Sequence, residues 1–401
     1  MVRPIFLNPS VITMMIALAL AGGANSSFQP YQSVIAINTL GIEAWQYSLL
    51  VTVGGFLSII YSLVTGALSD GLFDRRVAVS YICVLAAAGA IGIFTFGSAM
   101  AFTLATVLTL PLIPAVITQS FGALGSLKTD NNAKSHARLL SFGRVVLSAS
   151  WVVIPPCVAL LISISGRVEA AYALTAILLL IVAAQIFVPN ARWRGVPQTG
   201  KRLSNLIASL NLLRSGHVVV PVLANSLCKG ALRLQQIILG LIVVNQLGGT
   251  ISDVGFIAAI TALCEIPFIL LWMLVSEKIG RNRSMLVGAS IYAAYFVFLW
   301  FAPSTTYVFA ITPLAALGGA CLLSLAIAFL QDVIPERPAL STALMSISDF
   351  NSWVVAASLF YVSSLFSDKV PMTLLGALLS VCGGLAIAAT KERSHRRTAS
   401  A

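Results

Sequence analysis

Charge is scarce in this sequence of 401 residues. Only 9% of the residues are charged, whereas 58% are hydrophobic and the mean hydropathy is +0.96. A water-soluble domain cannot cover so much apolar surface with so few charges, which excludes a soluble enzyme or binding module. Uncharged runs of 18 or more residues recur along the chain, and each predicts a membrane-spanning helix.

Cysteine and histidine are also few. The six cysteines fall in six different apolar runs, where neither disulfides nor zinc ligands are expected. The three histidines form no H-E-x-x-H motif and no His-Asp-Ser set at membrane depth, which argues against a membrane-embedded enzyme. We therefore expect no catalytic residues, no metal site and no cofactor. The longest polar stretch, residues 190–216, is too short for the soluble output domain of a receptor.

Twelve apolar segments predict an all-α membrane protein with twelve transmembrane helices. The longest polar stretch separates the sixth segment from the seventh. The chain therefore divides into two six-helix bundles, residues 1–190 and 215–401, joined by a cytoplasmic linker, residues 191–214. Two similar halves around a midplane site are typical of secondary transporters. The segments are about 11–37, 47–69, 76–96, 99–124, 137–162, 168–189, 216–246, 252–275, 284–302, 305–330, 339–364 and 371–390.

The basic residues lie on one side of the predicted membrane. The termini and the loops after even-numbered segments hold 19 Lys and Arg residues, and the loops after odd-numbered segments hold two, Arg167 and Lys369. By the positive-inside rule, both termini are cytoplasmic and the chain is a multi-pass protein of the cell inner membrane. Most of the positive charge behind the net charge of +11 then faces the cytoplasmic surface of the lipid bilayer, so it does not indicate a nucleic-acid partner. We also expect no obligate protein partner.

Five charged residues remain inside apolar segments, where an unpaired charge is costly: Arg144, Lys229, Arg233, Glu265 and Asp349. Such residues are functional candidates by default, and we expect Arg144 to serve a cavity or a gate. The other four lie near the middle of their segments, so that an acid could pair with a cation at the same depth. Glu265 is the first candidate for a proton carrier, and Asp349 is the second.

Polar residues recur at helical spacing beside these charges. Stripes on several helices cannot all face lipid, so they predict a water-filled cavity between the helices. For any single Ser, Asn or Gln, a hydrogen bond between helices is the alternative. The predicted solute-binding residues are Asn25, Gln29, Arg144, Trp151, Asn225, Lys229, Arg233, Gln236 and Asn351.

Two short loops, six helices apart, carry a similar motif. GALSDGLFDRRVAV follows the second segment, and SEKIGRNRSM follows the eighth. This pair resembles the duplicated loop motif of the major facilitator superfamily, in which a glycine permits close helix contact and arginines hold a carboxylate in one conformer. The resemblance implies the major facilitator fold and a gating role for Asp70, Arg75 and Arg76.

Within that superfamily, the sequence is similar to the sugar efflux transporters. Residues 144–161, 255–271 and 326–335 resemble signatures of their fifth, eighth and tenth helices. Asp349 and Asn351 depart from the family pattern. The resemblance implies a proton-coupled exporter of sugars or sugar-like solutes that works by alternating access, with gating at Asp332. The matching residues are Arg144, Trp151, Glu265, Gln331 and Asp332.

Two alternatives stay open at this point. A multidrug or amphipathic-solute exporter of the same superfamily should have a more apolar pocket, with fewer Asn, Gln and Lys side chains. A passive channel would also use polar stripes, but duplicated halves with paired loop motifs favour a transporter.

Overall fold

The computed structural model describes residues 8–70, 74–125, 133–189, 191, 193, 216–333, 338–366 and 369–390. Within these ranges the chain is helical and forms no β-strand. We call the end of the bundle at which the first helix begins the inner end, and the opposite end the outer end. The helical spans are α1 Pro9–Thr39, α2 Ala44–Asp70, α3 Arg76–Phe96, α4 Ala99–Gly125, α5 Ala133–Ser165, α6 Ala170–Phe187, α7 Gly216–Gln246, α8 Ile251–Ile279, α9 Arg281–Trp300, α10 Thr305–Val333, α11 Pro338–Ser364 and α12 Lys369–Ala389.

The prediction of twelve membrane-spanning helices is confirmed. The predicted ends differ from the observed ones by at most four residues. Eleven of the spans are long and apolar enough to cross a membrane on their own composition. The remaining span, α11, carries Ser348, Asp349, Asn351 and Ser352 in its middle, and these residues lower its hydropathy. The polarity of α11 is the first sign that it faces the interior of the bundle.

In each half, a side chain near the start of the third helix caps the C-terminus of the sixth helix. The guanidinium of Arg76, at the start of α3, donates to the carbonyl of Gln185 at 3.0 Å. The amide of Asn282, near the start of α9, donates to the carbonyl of Thr390 at 3.0 Å, just beyond α12. Because the last carbonyls of a helix have no partner within it, both side chains cap a helix C-terminus.

The arginine before each of these residues reaches the fourth helix of its own half. Arg281 donates to the Ala328 carbonyl at 2.8 Å and pairs with Asp332, both on α10. The buried Arg75 lies against α4, where a Cβ at Gly122 would come within 2.9 Å of its guanidinium. The two loops thus make equivalent contacts, as an internal duplication of six helices requires. The side chain of Asp70 lies outside the described residues.

The chain beyond α6 folds back onto the inner end of the first half. Asp74 accepts a hydrogen bond from the backbone N–H of Trp193 at 3.1 Å and pairs with Arg76 at 2.7 Å. Trp193 is only 1% exposed, and its indole N–H donates to the hydroxyl of Thr13 at 2.9 Å. The start of the predicted linker is therefore fixed to α1 and to the loop before α3.

Asp74→Asn should destabilise the protein at neutral pH. Burial raises the pKa of Asp74, but hydrogen bonds from Arg76 and Trp193, together with the Arg76 charge, outweigh it and lower the pKa below its ordinary value. Such a carboxylate stabilises the fold above its unfolded pKa of about 3.9, and this stabilisation is lost as the pH falls through the lower folded pKa. Charged hydrogen bonds contribute about 1.5–3 kcal/mol, so we expect thermal unfolding of the detergent-purified variant about 3–6 °C lower at pH 7.

The difference between wild type and Asp74→Asn should narrow only in strongly acidic buffer. Glu277→Gln, which removes an exposed carboxylate at the inner end of α8, is the matched control and should unfold like the wild type at every pH. A difference that stayed constant down to the acid limit would mean that the charge of Asp74 does not stabilise this cluster.

The two halves touch at the outer end. α1 and α7 each finish in a π-helical turn, Ile35–Thr39 and Ile242–Gln246. Within these turns, Asn38 and Asn245 exchange two amide hydrogen bonds of 2.6 and 3.1 Å. Single π-helical turns are rare and occur frequently at functional sites. Their presence at equivalent positions in both halves indicates that this junction is more than a packing contact.

Two further helix pairs join the halves. α5 packs on α8, and α2 packs on α11. Tyr47 lies edge-on to Phe360 with ring centroids 6.0 Å apart near the outer end, and Phe56 lies 5.5 Å from Phe350 at mid-depth. These contacts between the halves therefore run from the outer end to the middle of the bundle.

Candidate functional site

A cavity of about 450 Å³ lies between the two halves. α1 and α5 of the first half line it together with α7 to α11 of the second. Its volume is in the range of small-molecule binding sites. Some of the predicted polar residues converge on this cavity, and others do not. The polar and aromatic lining residues are Gln29, Ser148, Trp151, Lys229, Arg233, Gln235, Gln236, Thr261, Glu265, Tyr292 and Asp349.

An ion pair spans one wall of this cavity. The ammonium of Lys229 on α7 lies 2.7 Å from the carboxylate of Asp349 on α11. The Lys229 side chain is 10% exposed and that of Asp349 is 41% exposed, so the carboxylate faces the cavity. The prediction that an intramembrane acid pairs with a cation on the seventh helix is confirmed. The attraction offsets part of the cost of placing both charges at membrane depth.

Arg233 lies one helical turn further along α7 than Lys229. Its guanidinium is stacked over the indole of Trp353 at 4.6 Å from the ring centroid, and it donates to the side-chain carbonyl of Gln236 at 3.0 Å. Stacking over a tryptophan face attracts the cation and fixes the plane of the guanidinium.

Glu265 lines the same cavity on α8. Its carboxylate points towards α10, where a Cβ at Gly319 would lie 3.3 Å from Oε1. Among the described residues, no Lys or Arg nitrogen lies within 4.0 Å of this carboxylate. The expectation that Lys229 or Arg233 would be its partner is therefore wrong. Lys229 pairs with Asp349, and Arg233 lies over the ring of Trp353. The cost of a charged carboxylate here is not offset by an ion pair.

Arg144 is not buried, contrary to the expectation from the sequence. It lies on α5 one turn to the inner side of Ser148, on the same helix face, and its side chain is exposed. It does not line the cavity, and no carboxylate in the described part of the chain lies within 4.0 Å of it. Because Arg144 is exposed, its long side chain is free to reach a polar environment, which lowers the cost of an arginine in an apolar run.

Other predicted binding residues divide into three groups. Gln29, Trp151 and Gln236 line the cavity as predicted. Asn225 is fully buried instead and donates to the hydroxyl of Ser348 at 2.8 Å, which is the alternative of a hydrogen bond between helices. The remaining two, Asn25 and Asn351, are half-buried and are not part of the lining.

Three lining residues carried little sequence signal. Gln235 adjoins the predicted Gln236, but it lies off the stripe that contains Lys229. Thr261 lies one turn before Glu265 on α8, where helical spacing from the carboxylate could have identified it. Tyr292 lies on α9, where its one hydroxyl-bearing neighbour at helical spacing is Tyr295, so nothing in the sequence indicated that it lies in the cavity.

The sequence matches known transporters in both halves. Residues 222–400 match the family model of the Major Facilitator Superfamily. The chain is 25% identical to a Deinococcus radiodurans protein that bears the provisional name of a sugar efflux transporter, with 96% of this chain and 99% of that protein covered. It is 23% identical to sugar efflux transporter A of Escherichia coli, with 85% and 86% covered.

Solved structures share the whole fold. The peptide transporter POT in complex with sulfate has a TM-score of 0.78 at 12% identity, with 96% of this chain and 95% of that chain covered. A variant of the nucleoside transporter NupG has a TM-score of 0.78 at 12% identity, with 95% and 100% covered. At these identities the likeness concerns the fold alone. The twelve helices of the described residues, the paired loops and the family match over residues 222–400 lead to one conclusion: the chain is similar to the major facilitator superfamily of transporters, and its similarity over most of its length is to the sugar efflux transporters.

Proposed function

We propose that the protein exports sugars or sugar-like solutes across the cell inner membrane in exchange for protons. The observation that carries the proposal is the central cavity, which combines amide and aromatic side chains with the Lys229–Asp349 ion pair and the unpaired Glu265. Amides bind hydroxyl groups, and an aromatic face packs against the apolar face of a sugar ring. The full-length relatives named for sugar efflux support this choice of solute.

Solute contacts are assigned to the residues that line the cavity. Gln29 and Trp151 come from the first half, and Gln235 and Gln236 come from the second, so a bound solute touches both halves at once. Solute binding can then favour one arrangement of the halves over another, as a transport cycle requires. Asn225 is better assigned to helix packing than to solute binding, given its hydrogen bond to Ser348.

The cycle we propose is alternating access, with residues 1–190 rocking against residues 215–401 about the cavity. The contacts from the outer end to mid-depth support a conformation closed on that side, and the exposure of Arg144 supports an opening at the inner end. The outward-open state then requires that Asn38 and Asn245 separate. At the inner end, neighbouring helices of each half are held together by Arg75, Arg76 and Asp332. We therefore assign these residues the role of keeping each half rigid while the two halves move.

Proton coupling is assigned to Glu265, with Asp349 as the second carboxylate. Glu265 lines the cavity without a cation partner, so it can bind and release a proton without breaking an ion pair. Asp349 must leave Lys229 before it can accept a proton. Protonating Asp349 therefore costs more free energy than protonating Glu265, and Glu265 is the preferred proton carrier.

The test of this function is solute transport by purified protein in liposomes with an imposed pH gradient. Labelled sugars should accumulate against their own gradient when the solute and proton gradients are coupled, and a protonophore should abolish the accumulation. If amphipathic drugs accumulate and sugars do not, the result would favour the multidrug alternative. Equal sugar fluxes with and without the pH gradient would contradict proton coupling.

The orientation in the membrane has its own test. On a background without the six native cysteines, Ser304→Cys at the outer end should react with a membrane-impermeant thiol reagent applied to intact cells. Glu277→Cys at the inner end should react only after permeabilisation. Both native residues are exposed, so accessibility does not bias the comparison. The reverse pattern would place the termini outside the cytoplasm and overturn the positive-inside argument.

A further inference from the structure

Arg233 lines the central cavity and forms no direct ion pair with a described residue. Among the described residues, no carboxylate oxygen lies within 4.0 Å of the Arg233 guanidinium. Asp349 attracts Arg233 from a longer distance, but it is paired at 2.7 Å with Lys229. Arg233 is instead held by the face of Trp353 and by the side-chain carbonyl of Gln236. These contacts orient the guanidinium but do not neutralise it.

Arg233 differs from Lys229 in how its charge is balanced. Lys229 pairs directly with Asp349, whereas the Asp349 charge acts on Arg233 only from beyond 4.0 Å. A guanidinium stays charged under all physiological conditions. A bound uncharged solute that excluded water from Arg233 would leave this cation without a direct partner, which is costly.

The geometry of Arg233 suits one kind of ligand group. The guanidinium carbon lies 4.6 Å from the centroid of the Trp353 ring, and a guanidinium carries five N–H donors at its edges. One of these donors is used by Gln236. The others can bind a carboxylate through two parallel hydrogen bonds, the arrangement that guanidinium and carboxylate groups prefer.

We propose that the preferred solute is a sugar acid, a uronate or aldonate whose single carboxylate binds Arg233. This inference rests on the proposed function and specifies its substrate class. The hydroxyl groups of the acid face Gln29 and Gln235, and its ring packs against Trp151. Its single carboxylate supplies the direct ion pair that Arg233 lacks among the described residues. A sugar phosphate would bring a second negative charge close to Asp349, which disfavours it.

The experiment compares matched solutes in proteoliposomes under a fixed pH gradient. The panel is glucose, glucuronate, glucosamine and glucose 6-phosphate, each as a labelled substrate and as a competitor. We expect kcat/KM for glucuronate to exceed that for glucose by about tenfold or more, because a site built to bind a polar group rejects the analogue that lacks it. Glucosamine, which adds a positive charge, should be the weakest competitor.

Variants test whether Arg233 is the cause of the preference. Arg233→Gln should reduce the ratio of glucuronate to glucose towards one, and Arg233→Lys should retain part of it as a point charge. Arg167→Gln is the matched control, because Arg167 also lies over an aromatic ring, Phe94 at 4.7 Å, but at the outer end away from the cavity. This control should keep the wild-type ratio. If Arg233→Gln does not fold, the wild-type panel and Arg233→Lys still decide the question.

The outcomes separate the inference from the function on which it rests. Transport of glucose as fast as glucuronate would overturn the sugar-acid inference and leave sugar export intact. A preference for glucose 6-phosphate would overturn it as well. A preference for glucuronate that survives in Arg233→Gln would remove Arg233 as its cause. Failure of every sugar in the panel, acidic or neutral, would refute the proposed function itself.

Discussion

Cross-linking position 38 to position 245 should stop transport, and cleaving the cross-link should restore it. Asn38 and Asn245 join the outer ends of α1 and α7 through two amide hydrogen bonds of 2.6 and 3.1 Å. If the outward-open state requires these ends to part, a covalent bridge holds the site closed on that side. On a background without native cysteines, Asn38→Cys with Asn245→Cys should lose about tenfold or more of its transport after treatment with a short bifunctional methanethiosulfonate. A reductant should restore it.

Single-cysteine variants control for the reagent. Asn38→Cys alone and Asn245→Cys alone should be modified to the same extent and should keep their transport, since one modified residue cannot bridge the halves. A bifunctional reagent is preferable to a direct disulfide, because two side chains that meet through amide hydrogen bonds leave their backbones far apart for a disulfide. Undiminished transport by the cross-linked pair would mean that the halves do not separate at this junction, and alternating access about it would have to be abandoned.

The fold could be predicted from the sequence because hydropathy and charge report it directly. A helix that crosses lipid must satisfy its own backbone and be apolar over its length, so each span leaves a long uninterrupted signal. Even α11, whose composition is the most polar, was predicted from the apolar residues around Asp349. The equivalence of the two loops could also be predicted. The structure agrees, because Arg281 and Arg75 each reach the fourth helix of their half.

The cavity could be predicted only in part. Helical spacing placed Lys229, Arg233 and Gln236 on one face, and all three line the cavity. However, spacing along one helix does not indicate which neighbouring helix supplies a partner. The sequence therefore did not determine whether Lys229 would pair with Asp349 or with Glu265. Nor could spacing distinguish Asn225, which bonds to Ser348 between helices, from a residue that binds solute. Both distinctions depend on how α7 is rotated against α11.

Two contacts between distant polar groups, those of Trp193 and of Asn38, could not be predicted from the sequence. Trp193 lies in a basic stretch that reads as a linker, yet it is buried against Thr13 and Asp74. The Asn38–Asn245 pair joins residues from different halves at the ends of two π-helical turns, and no local pattern marks such turns. These contacts follow from the docking of whole helices, which the sequence specifies only through the sum of all packing interactions.

Glu265→Gln should abolish accumulation of solute against its gradient while solute exchange continues. The carboxylate lines the cavity without a cation within 4.0 Å among the described residues. Glutamine keeps the size of this side chain, but it cannot take up or release a proton. We expect accumulation driven by a pH gradient to fall by about tenfold or more, with exchange of labelled for unlabelled solute within about twofold of the wild type. Both are measured in the same proteoliposome preparation, per folded molecule.

Two controls separate proton coupling from folding. Glu277→Gln removes an exposed carboxylate from the inner end of the same helix and should accumulate solute like the wild type. If Glu265 only tied α8 to α10 near Gly319, its replacement would lower the yield of folded protein, and the protein that remained would still pump. Full accumulation by folded Glu265→Gln would therefore remove Glu265 as the proton carrier. Asp349 would then be the remaining carboxylate of the cavity, and its release from Lys229 would have to accompany each proton.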